Sequence, residues 1–121
     1  MATGLENLKI YNMARNLELD VFELTKVFPR DEKYRSVDQL RRSSSSVTNN
    51  IAEFYNKRSV KEKTRILNDI AKSEAEETRR NLEVCFKKGF HTDAEISERY
   101  LELIKAISGY LRFLSGKLAT P

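Results

Sequence analysis

The chain of 121 residues contains no tryptophan, one cysteine, one histidine, two prolines and four glycines. Proline and glycine punctuate turns, so their scarcity predicts few turns and long helices. The single cysteine, Cys85, cannot form an internal disulfide and falls on an apolar helical face, so we expect a buried small hydrophobic side chain. A bundle iron centre takes two histidine ligands, one from each of two helices, and this chain has only His91. The sequence therefore predicts neither a metal nor a cofactor.

The first seven residues lack the basic start and apolar run of an ordinary secretory signal. No stretch approaches the roughly 20 apolar residues that a membrane span requires. Hydrophobic residues make up 40% of the chain and charged residues 33%, proportions that suit a globular protein with a well-solvated surface. We therefore expect one cytoplasmic domain, residues 1–121, that does not contact a membrane.

Four segments, about 8–27, 36–55, 60–88 and 93–117, have apolar residues at spacings of three and four, which is typical of amphipathic helices. Their short connections predict an all-α fold, an up-down-up-down antiparallel four-helix bundle. The predicted inward stripes are Ile10, Met13, Leu17, Val21, Leu24 and Phe28 in the first helix; Val37, Leu40, Ser44, Val47, Ile51 and Phe54 in the second; Thr64, Leu67, Ala71, Ala75, Thr78, Leu82 and Cys85 in the third; and Ile96, Tyr100, Leu103, Ile104, Ile107, Leu111, Leu114 and Leu118 in the fourth.

Local signals predict where these helices begin and end. A hydroxyl residue followed three positions later by Glu or Gln is a capping box, in which each side chain satisfies a free backbone N–H. Pro29 and Gly89 are expected to end the first and third helices. The three predicted capping boxes are Ser36 with Gln39, Ser59 with Glu62, and Thr92 with Glu95.

The run of four serines, residues 43–46, consists of weak helix formers, because serine hydroxyls compete for backbone hydrogen bonds. The apolar register nevertheless continues through it, so we interpret the run as helix. Together with Ala71 and Ala75 it predicts a seam of small residues. That seam either lets two helices of one bundle approach closely or forms a face that meets another subunit.

Carboxylates offer the remaining route to catalysis. The pairs Glu74/Glu77 and Glu95/Glu98 have the i, i+3 spacing of bundle metal motifs but lack the imidazoles, so solvated or capping roles are expected. Glu53 lies beside the second stripe and Glu77 beside the third, where they could form an acid–base pair, although hydrogen-bonded structural roles are favoured. Phosphate-binding glycine loops, nucleophile elbows and Cys–His arrangements are missing. We expect a protein that is not an enzyme.

The net charge of +4 is concentrated in one place. Between Phe54 and Arg65 there are five cations and the single acid Glu62, a surplus equal to that of the whole chain. Such a cluster indicates either a solvated helix junction or a surface for nucleic-acid phosphates. With two arginines of the second helix, the candidate nucleic-acid-binding residues are Arg41, Arg42, Lys57, Arg58, Lys61, Lys63 and Arg65.

Two strings resemble a known family: Gln39-Leu40-Arg41-Arg42 and Val47-Thr48-Asn49-Asn50-Ile51-Ala52-Glu53. They are similar to four-helix-bundle proteins encoded in intervening sequences of bacterial 23S rRNA genes, and the resemblance extends over nearly the whole chain. The sequence departs from the family pattern at Thr48, where proline is frequent, and at Phe54 and Ser73, where glycine is expected. Family-motif residues for which the resemblance implies structural roles are Gln39, Asn50, Glu53 and Glu77.

The resemblance implies an up-down bundle that assembles into a ring, commonly a homopentamer, without enzymatic activity. It also implies kinship in fold with the accessory variability protein of diversity-generating retroelements, a basic pentamer that works with a reverse transcriptase and RNA. Two hypotheses follow. The first is an oligomer that binds RNA, or an RNA-bound protein, through the basic residues; the second is a protein-interaction scaffold with no direct nucleic-acid contact.

Overall fold

The structure is a computed structural model that describes the backbone of residues 4–119 and the side chains of residues 4–116. Within that range it is helical, with no strand, so the all-α prediction is confirmed. The short helical turns Leu5–Asn7 and Arg30–Glu32 precede the first and second long helices. The four long helices are α1, Lys9–Thr25; α2, Asp38–Asn56; α3, residues 60–87; and α4, Ile96–Ala119.

The four helices enclose one hydrophobic core. α1 and α3 each pack against both α2 and α4. Late α1 meets early α4 where Asp20 Oδ2 lies 2.7 Å from an Arg99 Nη atom. The end of α2 meets late α4 where the rings of Phe54 and Tyr110 are 5.4 Å apart in an edge-to-face arrangement. These contacts are compatible with helices that alternate in direction.

The stripe predicted for α2 is buried at all six positions. In the other three helices the predicted positions are buried as well, with four exceptions that are only half-buried: Met13, Leu24, Thr64 and Leu111. The side chain of Leu118 lies outside the described residues. Periodicity therefore located the core-facing side of every helix.

The helix starts were predicted less well. Ser59 caps α3 as expected, since its Oγ accepts the N–H of Glu62 at 3.0 Å. The capping box at Ser36 is wrong: Ser36 is already inside a helical turn, and its hydroxyl donates to the Glu32 carboxylate. The box at Thr92 is also wrong, because Asp93 Oδ1 accepts the N–H groups of Glu95 (2.9 Å) and Ile96 (3.1 Å) instead.

Two π-helical segments interrupt the regular helices. Lys33–Val37 leads directly into α2, so that helical structure begins before the predicted residue 36. Ile66–Ala71 lies inside α3, between Val60–Arg65 and Lys72–Lys87. A π turn accommodates one extra residue in an α-helix, and the apolar spacing gave no sign of either one.

The serine run is helical, as predicted, and its seam lies inside a single chain. Ser43 and Ser44 are buried, and the hydroxyls of Ser43 on α2 and Thr78 on α3 form a hydrogen bond of 2.7 Å. Ala71 and Ala75 of α3 are fully buried. The small residues therefore bring α2 and α3 close together within one bundle.

The buried cysteine was predicted correctly. Cys85 is free and 4% exposed, and its burial raises the pKa of the thiol. A raised pKa leaves less of the reactive thiolate at neutral pH, which suits a packing role. Across the backbone described, no helix has the length and apolar content to cross a membrane.

Tyr100 of α4 is fully buried, and its hydroxyl has no hydrogen-bond partner among the described residues. Burial, followed by the nearby charge of Glu18, raises the pKa of this phenol above its usual value of about 10. The folded protein therefore holds the phenolic proton more tightly than the unfolded chain. The resulting stability is complete below about pH 10 and is lost as the pH rises from there towards the folded pKa.

We expect Tyr100→Phe to raise the free energy of unfolding by about 1 kcal/mol at pH 7, because it removes an unpaired buried hydroxyl and keeps the ring. Above pH 10 the advantage should grow by up to about 1.4 kcal/mol per pH unit, because only the original residue can ionise on unfolding. Urea unfolding of both proteins at pH 7 and pH 11 measures the difference. A variant that is less stable at pH 7 would show that the hydroxyl has a favourable partner.

Candidate nucleic-acid interface

The connection between α2 and α3 is short and fixed at both ends. The N–H of Lys57 donates to the Phe54 carbonyl at 3.1 Å, which closes α2, and Ser59 caps α3. Lys57 is extended, with φ −77° and ψ 148°. The basic residues of this junction are therefore held on an ordered turn between two packed helices.

Three of these residues are exposed and form no ion pair within the part of the chain that the structure describes: Arg58, Lys61 and Arg65. Lys61 and Arg65 are four residues apart and share one face of α3. Lys57 lies beside them, and its Nζ is 3.9 Å from Glu53 Oε1 in an exposed pair that contributes little stability. We call Lys57, Arg58, Lys61 and Arg65 the junction cluster.

Lys63 has a different environment. Its Nζ donates to the Tyr55 carbonyl at 3.2 Å and lies over the rings of Phe54 (5.3 Å) and Tyr55 (5.6 Å). The ammonium thereby satisfies a carbonyl at the C-terminal end of α2, where the helix dipole is negative. Lys63 helps to hold the junction together, and its charge is partly committed there.

Arg41 and Arg42 are far from the junction. Arg41 precedes Lys57 by 16 residues of α2, about 24 Å along a helix axis. Its Nε donates to Thr25 Oγ1 at 2.9 Å and one Nη to the Phe22 carbonyl at 3.2 Å. Arg42 Nε lies 3.5 Å from Asp38 Oδ2. The seven candidate cations therefore form two separate groups rather than one surface.

The three family-motif residues of α2 make contacts within their own helix or lie at the surface. Asn50 Nδ2 donates to the Ser46 carbonyl at 2.8 Å and to Ser46 Oγ at 3.0 Å, within its own helix. Gln39 is exposed. The interior position predicted for Glu53 is wrong, because its side chain is 56% exposed and faces Lys57.

Glu53 and Glu77 do not form the acid–base pair that the sequence left open, because Glu53 faces Lys57 and Glu77 has a different partner. Its partner is Glu74, one turn earlier on α3. Partial burial, the charge of Glu77 and a hydrogen bond between the two side chains raise the pKa of Glu74. The i, i+3 spacing was visible in the sequence, and it brings two side chains together on one helical face. The pair lines a groove of about 400 Å³ with Gln39, Arg42, Ser43 and Ser46.

Metal-ion chemistry requires several ligand side chains to lie close together. Among the described residues there is no group of three or more His, Cys, Asp or Glu side chains placed to hold a metal ion. His91, the single histidine, is 5% exposed and packs between helices. Its Nε2 lies 2.9 Å from the Leu82 carbonyl oxygen. Of the seven candidate cations, Arg58, Lys61 and Arg65 are the exposed ones without an ion pair among the described residues.

Comparison with known proteins identifies one family. The sequence model of the family described as 23S rRNA-intervening sequence protein matches residues 6–112, which covers all of α1, α2 and α3 and most of α4. No curated protein matches the chain.

Proposed function

Because this chain belongs to the family of 23S rRNA-intervening sequence proteins, we propose that it is a non-enzymatic oligomer that binds RNA, or an RNA-associated partner, through the junction cluster. The observation that supports this proposal is the exposure of Arg58, Lys61 and Arg65 on one ordered junction, without ion-pair partners among the described residues. Cations already committed to carboxylates would have to break those pairs before they could bind phosphates. Arg58, Lys61 and Arg65 can bind phosphates without breaking such a pair.

Such a surface suits the phosphate backbone rather than the bases. Lysine and arginine bind phosphates and release condensed counterions, so the affinity falls as salt rises. Phosphate contacts position a nucleic acid without reading its sequence. We therefore expect tight binding at low salt, a steep dependence on salt and little preference for sequence.

The oligomer is the second part of the proposal. The family resemblance supports a homopentamer built from up-down-up-down antiparallel bundles, and we propose that it acts in the cytoplasm. A ring would present several copies of the junction cluster to one RNA, and several weak contacts on one scaffold combine into a much stronger one. A cluster of four cations would then suffice in each chain.

One observation favours the scaffold alternative. An apolar groove of about 480 Å³ runs between early α1 and late α4, lined by Leu8, Lys9, Ile10, Ala106, Gly109, Tyr110 and Phe113. Phe113 is 52% exposed there. An exposed aromatic side chain in an apolar groove suits contact with another protein. On this alternative the chain would bind proteins through the groove and leave the junction cluster in solvent.

The triple variant Arg58→Gln, Lys61→Gln, Arg65→Gln tests the RNA proposal. We expect the affinity for a structured RNA to fall about tenfold or more at 0.1 M salt, and the log–log salt slope to decrease by about 2–3, because up to three phosphate contacts are lost. The measurement is an RNA titration at several salt concentrations, with the size of the protein species determined in the same buffer. All three side chains are exposed, so the fold should be unaffected.

The matched control is Arg80→Gln, Lys87→Gln, Lys88→Gln, which removes the same number of exposed cations near the other end of α3. It should retain most of the affinity. Equal losses in the two variants would show a response to net charge alone. A well-formed oligomer that fails to bind RNA at low salt would contradict direct RNA contact and favour the scaffold.

A further inference from the structure

A second basic feature lies at the corner where α1 ends and α2 begins. The chain turns there around a pocket of about 380 Å³. Its lining combines four cations with an apolar floor and contains no carboxylate. The lining residues, which we call the corner pocket, are Thr25, Lys26, Phe28, Pro29, Arg30, Lys33, Val37 and Arg41.

Arg41 is held in place inside this pocket. Two of its N–H groups donate to Thr25 Oγ1 and to the Phe22 carbonyl, and its guanidinium lies 4.2 Å from the centroid of the Phe22 ring. The Thr25 hydroxyl in turn donates to the Val21 carbonyl at 2.9 Å. A guanidinium has five N–H donors, so three remain for a ligand on a side chain that has already lost its conformational freedom.

The other three cations are exposed. Arg30 forms no ion pair among the described residues. Lys33 Nζ lies over the Tyr34 ring at 5.3 Å. Lys26 pairs with Glu23 at 3.0 Å, but both side chains are more than half exposed, so this pair is weak and Lys26 can turn to another anion.

The nearby acids lie outside the pocket lining, although Glu23 pairs with Lys26. Glu32 accepts the hydroxyl of Ser36, and neither it nor Asp31 lines the cavity. The buried side chains of Phe28 and Val37 form part of the wall. Charge interactions are stronger beside such low-dielectric surface than in open water. A compact anion that carries two charges and several acceptor oxygens fits this arrangement of four cations, since a guanidinium can bind phosphate with two parallel hydrogen bonds.

We propose that the corner pocket binds a phosphate monoester, the group carried by a free nucleotide and by the 5′-phosphorylated end of an RNA. Arg41 supplies the fixed donors, and Arg30, Lys33 and Lys26 close around the remaining oxygens. This site is distinct from the junction cluster, which lies at the other end of α2. It does not depend on the RNA backbone contact proposed above.

The test uses the full chain and isothermal titration at fixed ionic strength. The probes are inorganic phosphate, adenosine 5′-monophosphate, and a tetraribonucleotide with either a 5′-phosphate or a 5′-hydroxyl. We expect the phosphorylated probes to bind and the 5′-hydroxyl RNA to bind at least about tenfold more weakly, since hydrogen bonds to a charged group contribute about 1.5–3 kcal/mol. Similar affinities for the nucleotide and the phosphorylated RNA identify the phosphate itself as the ligand. Binding of the phosphorylated RNA alone identifies the RNA end.

The variant Arg30→Gln, Lys33→Gln should lose about tenfold in affinity for the phosphorylated probes. The control Arg80→Gln, Lys87→Gln, with the same change in charge, should stay within about twofold, since surface charges that are far apart are screened by salt. The junction triple variant should also bind these probes normally, which separates this proposal from the previous one. Failure of every phosphorylated probe, equal binding of the 5′-hydroxyl RNA, or equal losses in the pocket variant and the control would overturn it.

Discussion

Phe54→Ala is expected to lower the free energy of unfolding by about 3–5 kcal/mol, the largest effect that we predict for a single substitution. The side chain is fully buried at the end of α2. Its ring packs edge-to-face against Tyr110, and Lys63 lies above it. Alanine would remove the apolar contacts and leave a cavity that the surrounding side chains can fill only in part.

Urea unfolding of the variant measures this effect. Phe113→Ala is the matched control, because Phe113 is the same residue type on a half-exposed site, and we expect it to cost about 1 kcal/mol or less. Similar losses for the two variants would show that the end of the bundle relaxes around the missing ring.

His91→Ala is expected to cost about 3 kcal/mol, from two hydrogen bonds and an aromatic contact. Asp93 N–H donates to His91 Nδ1 at 3.2 Å, so Nδ1 is the acceptor and Nε2 carries the proton that is donated to the Leu82 carbonyl at 2.9 Å. The ring also stacks on Phe28, with centroids 6.0 Å apart. Alanine removes both hydrogen bonds of the imidazole and opens a gap beside Phe28.

Denaturant unfolding, with Thr92→Ala as the neighbouring exposed control, measures the contribution of the histidine. Thr92→Ala should leave the free energy of unfolding nearly unchanged, because Asp93 and not Thr92 caps α4. A loss below about 1 kcal/mol for His91→Ala would mean that water replaces both hydrogen bonds, and would contradict the structural role.

The fold could be predicted from sequence wherever the deciding interaction is local and periodic. The α2 stripe is the clearest case: spacings of three and four placed six residues on one face, and the structure buries all six. Ser59 was predicted as a cap from the position of Glu62 three residues later, and its hydroxyl accepts the Glu62 N–H. Ser36 was not a cap because the preceding residues are already helical. At α4 the carboxylate of Asp93 accepts two N–H groups where Thr92 could accept one.

The positions of the candidate site residues relative to one another were harder to predict from the sequence. The number of charges along a stretch of chain does not give the distances between them in the fold. Residues 57–65 stay together because they occupy one connection and the first six residues of α3. Arg41 was grouped with them by residue type, although α2 holds it about 24 Å away. Lys26, Arg30 and Lys33 converge on Arg41 only because of how the chain turns after Phe28, and no spacing rule describes that turn. Glu77 was predicted near the interior, but its partner depended on which face of α3 points towards α2.

The π segment Ile66–Ala71 has a geometric consequence for the basic surface. Each residue of an α-helix turns the chain by about 100°, so one additional residue within α3 offsets everything before it by that angle relative to everything after it. Lys61 and Arg65 lie before the segment, while Ala75 and Leu82, which anchor α3 in the core, lie after it. The π segment therefore sets the angle between the charged face before it and the core face after it, and its own residues Ile66 and Leu67 are buried in the core. A gain or loss of one residue in this segment would turn the charged face by about 100° and would require Ile66, Leu67 and Ala71 to repack.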